Sequence, residues 1–170
     1  DNIKDAIDAV KTLDIKGFAI TMPYKKQVLE YVDKMDKSVK KIGAANTVIN
    51  KGRYLYAYNT DYLAALEFLS AYKETTDCLC ILGNGGYASA VKAAAEKLQM
   101  KWINIIRENW NDISGIRGCV IYNCTPVTDI DIHKSNTFID CNVDSVTGKQ
   151  LANMQASHQF KLYTEKDWPL

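Results

Sequence analysis

Two charged residues, Lys25 and Asp61, close short polar segments, Thr21-Met22-Pro23-Tyr24-Lys25 and Asn59-Thr60-Asp61. Between them lies Gly43-Ala44-Ala45-Asn46-Thr47. Hydride removal from a secondary alcohol needs a positioned base for the hydroxyl proton, and carbonyl reduction needs the matching acid. A lysine and a carboxylate can serve both directions. A neighbouring carboxylate raises a lysine pKa and desolvation lowers it, so the spacing does not fix the working value. Taken singly, each has a plainer reading, a surface lysine at a helix start and an aspartate used as a cap.

Further along, Gly83-Asn84-Gly85-Gly86-Tyr87-Ala88 fits G-x-G-x-x-A between an apolar strand and an alanine-rich helix. The first glycine permits the sharp turn and the second lets backbone approach a pyrophosphate. The small Ala88 lets helix and strand pack closely, and the helix N-terminus favours negative charge. The end of the next strand normally meets the adenosine ribose, and Arg107 and Glu108 stand there. Arg107 could pair with a 2′-phosphate and select NADP, whereas Glu108 could accept from a free 2′-hydroxyl and select NAD; the reading leans to Arg107. Together these residues point to nicotinamide-dependent oxidation of a hydroxyl.

The elements that must position them follow from hydrophobic spacing. Ile3, Ala6, Ile7, Val10 and Leu13 predict a helix, and Phe18-Ala19-Ile20-Thr21 a strand. Pro23 suits the first turn of a further helix with Val28, Leu29, Val32 and Met35 on its apolar face and Lys25 near its start. Thr47–Asn50 and Tyr54–Tyr58 predict a hairpin about Lys51-Gly52-Arg53, and Tyr62–Tyr72 a buried helix leaving it. Cys78–Leu82, Trp102–Ile106, Cys119–Tyr122 and Thr137–Asp140 read as parallel strands, with Ser89–Leu98 as the crossover helix after the first. The fold class is α/β, a partial N-terminal domain at 1–72 followed by a Rossmann-type doubly wound parallel sheet at 73–170.

The 170 residues are 47% hydrophobic, enough to bury a real core. Lys plus Arg number 21 against 20 for Asp plus Glu, so no global field recruits nucleic acid or a membrane surface, and an anionic ligand must be held locally. No run reaches the ~18 apolar residues of a membrane helix. Five cysteines, an odd number with none spaced as CxxC, include several in apolar strand-like runs where Cys behaves as a small hydrophobe, and a reducing cytosol fits best. His133 and His158 stand apart from other ligand types, and no metal is expected.

Four segments in register resemble the shikimate dehydrogenase family, which includes quinate/shikimate dehydrogenases. Gly17 to Lys25 is similar to its G-x-N-V-T-x-P-[FY]-K, Ile42 to Thr47 to its I-G-A-V-N-T, Asn59-Thr60-Asp61 to its N-T-D, and Gly83 to Ala88 to its G-A-G-G-A-[AS]. Asn123-Cys124-Thr125 is similar to the N-[AC]-T that passes near the nicotinamide. The resemblance implies that Lys25 and Asp61 are the catalytic pair of an oxidoreductase of the chorismate pathway to aromatic amino acids. It implies that Thr21, Lys25, Asn46 and Asp61 bind a small cyclohexene carboxylate of the shikimate or quinate class. Gly83, Asn84, Gly85, Gly86, Arg107, Asn123 and Thr125 would hold NADP, with NAD the other possibility, in a monomer or homodimer. It further implies that the N-terminal Ser-x-Ser strand and the closing C-terminal helices are lacking, which leaves an impaired nucleotide-binding or interaction module as the alternative. Ala57 and Ala64 replace family glycines, a change harmless where φ is negative and costly where it is positive.

Overall fold

The computed structural model describes residues 2–169. It divides into two compact units, Asp1–Thr60 with Gln155–Leu170, and Asp61–Met154.

In the first unit, helix α1 (Ile3–Thr12) is capped by the Asn2 side chain, which accepts from the Lys4 N–H at 3.0 Å, and buries Ile3, Ile7 and Val10. Strands β1 (Gly17–Ala19), β2 (Lys34–Met35), β3 (Thr47–Lys51) and β4 (Tyr54–Tyr58) form a sheet in the order β1-β3-β4-β2. The β1/β3 and β3/β4 pairs are antiparallel and β2/β4 is parallel. Val28, Val39, Ala45, Val48, Leu55 and Ala57 close over the apolar face of α1 as one core.

The expected hairpin is present, with Lys51 opposite Tyr54 and both loop residues at positive φ, Gly52 at 60° and Arg53 at 78°. This primed turn matches the twist of the strands but favours Gly or Asn at both positions. Replacing Arg53 by Gly is expected to stabilise the chain by up to about 1 kcal/mol, since a side chain in the left-handed region costs of that order. Urea unfolding at equal m-value reads the gain directly.

The long helix expected after Pro23 is corrected. Lys25 lies in a turn in which Tyr24 N–H donates to the Thr21 carbonyl, followed by a 3-10 segment, Gln27–Glu30. The apolar spacing beyond it serves a different end. Asp33 N–H donates to the Leu55 carbonyl and the Asp33 carboxylate accepts from Leu55 N–H, so Lys34–Met35 is drawn alongside β4 as a strand. Helix α2 (Lys37–Ile42) follows, capped by Asp36, and ends on Gly43 at φ 70°, a left-handed cap that glycine adopts without steric cost.

The second unit carries an all-parallel sheet, β6-β5-β7-β8, made of β5 (Leu79–Leu82), β6 (Trp102–Ile105), β7 (Val120–Asn123) and β8 (Thr137–Asp140). Every residue of β5 and β7 is buried, as a strand covered on both faces requires. Helix α3 (Thr60–Ser70) and helix α4 (Gly86–Lys97) contribute Ala65, Leu69, Ala88, Val91 and Ala94 to one core, while Ile105, Ile113 and Ile121 belong to another. Neither Ala57 nor Ala64 has positive φ, so the family glycines are replaced at no conformational cost.

Two further expectations change. The cysteines are not all separate: the β5/β7 register sets Leu79 opposite Val120, which brings the preceding Cys78 and Cys119 to a Cα separation of 4.9 Å as a disulfide. Helix α5 (Val146–Thr164) was not anticipated, and residues 155–170, expected in the nucleotide half, group with the first sixty because Gln155, Gln159 and Tyr163 pack against that unit. Among the described residues no helix is long and apolar enough to cross a membrane.

Candidate functional site

In the first unit, the ends of β1, β3 and β4 bring three of the expected residues together. Ile20 N–H donates to the Asn46 carbonyl at 2.8 Å, and Ala45 N–H donates to the Lys25 carbonyl at 2.8 Å. Thr21 and Lys25 are thereby tied by backbone to the Gly43–Thr47 segment. Thr21 is exposed and Lys25 half-buried at this edge.

Asn46 is the knot beneath them, only 3% exposed. Its Oδ1 accepts from Thr60 N–H at 2.8 Å and from the Thr47 hydroxyl at 2.9 Å, while its Nδ2 donates to Thr60 Oγ1 at 2.9 Å and to Gln155 Oε1 at 3.2 Å. The Thr60 hydroxyl reaches the same Gln155 oxygen at 3.2 Å, and Gln159 Nε2 donates to Thr47 Oγ1 at 2.9 Å and to the Asn46 carbonyl at 3.3 Å. Asn59 adds a bond from its Nδ2 to the Ala44 carbonyl at 2.9 Å. A buried carboxamide with all its donors and acceptors matched is rigid, because each unmade bond would cost the desolvation of that group.

Gln155 and Gln159 are the residues that sequence reasoning missed. They are spaced i, i+4 on one face of α5, and that spacing was the only available signal. Replacing Gln155 by Leu leaves one N–H of the buried Asn46 amide without its acceptor, and about 1–2 kcal/mol of stability should be lost in urea unfolding.

The second unit holds the nucleotide-type residues. Gly83 leaves β5 at φ +102°, a conformation open to glycine, and a Cβ there would stand 2.8 Å from Thr125 Cγ2. At Gly85 a Cβ would meet nothing within 4 Å, so the backbone of the turn is open to an approaching ligand. Helix α4 starts at Gly86, and its first N–H groups lie at the positive end of the helix dipole.

Thr125 is fixed over Gly83 by Asn123, whose Oδ1 accepts from both the N–H and the hydroxyl of Thr125 at 2.9 and 2.7 Å. Asn123 Nδ2 in turn donates to the Val127 carbonyl and to Asp140. The N-C-T segment is therefore a rigid turn at the end of β7, beside the glycine turn at the end of β5. Arg107 is exposed just beyond β6 and opens a 3-10 stretch, Arg107–Gly115, bent at Asn109. Asp61 is buried in the first turn of α3. Burial, reinforced by Cys141, raises the Cys124 pKa well above its ordinary value, so this sulfur is a neutral thiol at pH 7. An open cavity of about 340 Å³ in the same unit is lined by Trp110, Asn111, Ile113, Ser114 and Asp129–Asp131, none of them in the glycine turn. No cluster of metal-ligating side chains occurs among the described residues.

A parallel sheet with a glycine turn between its first strand and a crossover helix defines a Rossmann-type α/β unit, and the chain adds a smaller mixed-sheet unit. Residues 1–48 match the shikimate dehydrogenase substrate binding domain. Over 145 residues the chain is 32% identical to the shikimate dehydrogenase (NADP(+)) of Clostridium beijerinckii, covering 75% of this chain and 54% of that protein. Among solved structures, a shikimate 5-dehydrogenase-like protein superposes with a TM-score of 0.84 at 24% identity, over 98% of this chain and 79% of the other. Shikimate 5-dehydrogenase from Thermus thermophilus, solved with NADP(H) and shikimate, gives 0.80 at 20% identity over 97% and 78%. At these identities the structures speak to the fold. The chain belongs to the shikimate dehydrogenase family, and it spans about half the length of the curated relative from Clostridium beijerinckii.

Proposed function

We propose that the protein is an NADP-dependent shikimate dehydrogenase-like oxidoreductase that reversibly oxidises shikimate to 3-dehydroshikimate. The observation that carries this reading is the backbone tie of the Thr21 and Lys25 segment to the Asn46–Thr60–Gln155 knot, in a chain that also holds an open glycine turn. Bound NADP supplies the hydride acceptor. Gly83, Gly85 and Gly86 with the α4 N-terminus would hold its pyrophosphate, Asn84 and Arg107 its adenosine side, and Asn123 and Thr125 the wall near the nicotinamide.

Thr21 donates and accepts at a substrate hydroxyl, and Lys25 and Asp61 take and return the hydroxyl proton. Asn46 works mainly by holding the edge on which Thr21 and Lys25 stand, since its carboxamide is engaged by Thr47, Thr60 and Gln155. The same reading makes the partners small molecules and the assembly a monomer or homodimer in the cytoplasm.

A second reading, a nucleotide-binding module without turnover, draws on that saturated Asn46 amide. Initial rates of NADPH formation with shikimate and with quinate, by the protein produced from its whole gene, separate the two. Turnover of either acid supports the first reading. NADPH binding without turnover supports the second, and failure to bind any nicotinamide dinucleotide overturns both.

A further inference from the structure

Lys92, on α4, is aimed across the helix toward β6 rather than into solvent. Its Nζ donates to Asn104 Oδ1 at 2.7 Å and to Asn84 Oδ1 at 3.1 Å, and it lies 5.7 Å from the centroid of the Trp102 ring. Asn104 is itself fixed, because its Nδ2 donates to the Ile81 carbonyl at 2.8 Å and the Gly83 carbonyl at 2.9 Å. The cation is thus anchored to the end of β5 through one asparagine and reaches the glycine turn through another.

The donor chemistry fixes which way Asn84 points. An ammonium has hydrogens to give and no acceptor, so the Asn84 atom facing it is the carbonyl oxygen. The Asn84 NH2 group is then turned away from Lys92. Asn84 is exposed, and its Nδ2 has no acceptor among the described residues. Two free N–H donors, backed by a held positive charge and standing in the turn that opens α4, are matched to an anionic oxygen.

We infer that Lys92 is a positioning residue which holds the Asn84 carboxamide so that its N–H donors face a phosphate group of the bound dinucleotide. The inference rests on the dinucleotide reading proposed above. It accounts for a lysine on the sheet-facing side of a helix, where burial lowers its pKa and the charge needs partners. Lys92 acts through Asn84 and needs no contact of its own with the ligand.

The test is titration of the purified protein with NADPH and with NADH, followed by nicotinamide fluorescence, for wild type, Lys92→Met, Lys92→Arg, Asn84→Ala and the Lys92→Met/Asn84→Ala double variant. Lys92→Met should weaken dinucleotide binding about tenfold. Lys92→Arg, which keeps a cationic donor, should stay within about threefold of wild type. In the Asn84→Ala background the Lys92→Met change should cost nothing further, the non-additivity expected of residues acting as a unit. A loss confined to NADPH assigns the 2′-phosphate, and an equal loss with NADH assigns the pyrophosphate; either supports the inference. Unchanged affinity in Lys92→Met, or a loss that persists undiminished without Asn84, overturns it. If the wild type binds neither dinucleotide, the underlying reading fails instead.

Discussion

Replacing Lys25 by Ala is expected to lower kcat for shikimate oxidation by about 10³-fold while NADPH affinity stays within about twofold. General acid–base groups contribute about 10²–10⁴-fold, and each tenfold is about 1.4 kcal/mol of barrier. The two observables separate because the residues differ in place. Lys25 is tied by its carbonyl to Ala45 in the mixed-sheet unit, whereas the glycine turn belongs to the parallel-sheet unit. Lys25→Arg should rescue little, since a guanidinium stays protonated through the range in which a base must act. Initial rates and fluorescence titration on the same preparations give the comparison. Loss of NADPH binding in parallel with rate would assign Lys25 to cofactor binding and remove it from proton transfer.

Replacing Gly148 by Ala should be strongly destabilising. Gly148 is buried at the start of α5, where its N–H donates to the Ser145 hydroxyl oxygen at 2.8 Å. A Cβ would run into the Asn142 carbonyl, which is backbone and cannot swing aside as a side-chain tip can. Overpacking costs roughly 1–3 kcal/mol where side chains can yield, and a backbone wall puts this case at about 3 kcal/mol or above. For a domain near a hundred residues that lowers Tm by about 10 °C or more. Calorimetry on Gly148→Ala checks it, and a Tm within about 2 °C of wild type would mean that the Asn142 turn gives way freely.

The glycine turn was legible in the sequence because two independent signals coincide there. A continuous apolar strand from Leu79 to Leu82 runs straight into the G-x-G-x-x-A spacing of Gly83 to Ala88, and the structure gives Gly83 the φ of +102° that favours glycine. The hairpin was legible for the same kind of reason, alternation broken by Lys51-Gly52-Arg53. The segment from Gln27 to Met35 misled because its apolar residues fall at helical spacing. That spacing records burial against the sheet and α1, and the partner that makes Lys34–Met35 a strand, β4, lies about twenty residues away in the chain.

Helix α5 was illegible for a different reason. Only Gly148 and Leu151 are buried along its length, so it has no apolar stripe for a period to reveal. What fixes its later turns is hydrogen bonding by Gln155 and Gln159 to residues about a hundred positions earlier, and no local pattern records such partners. The Cys78–Cys119 pair depended likewise on strand order, which the spacing of five cysteines did not reveal.

In the proposed reaction, hydride moves between a carbinol carbon and a nicotinamide. Its most direct test supplies shikimate deuterated at the carbon bearing the oxidised hydroxyl, with NADP, to the protein made from its whole gene, and weighs the NADPH formed. NADPH one mass unit heavier than that formed from unlabelled shikimate is expected, with no heavy product from Lys25→Ala on the same timescale. NADPH that carries no deuterium, or no NADPH while the dinucleotide demonstrably binds, would contradict it.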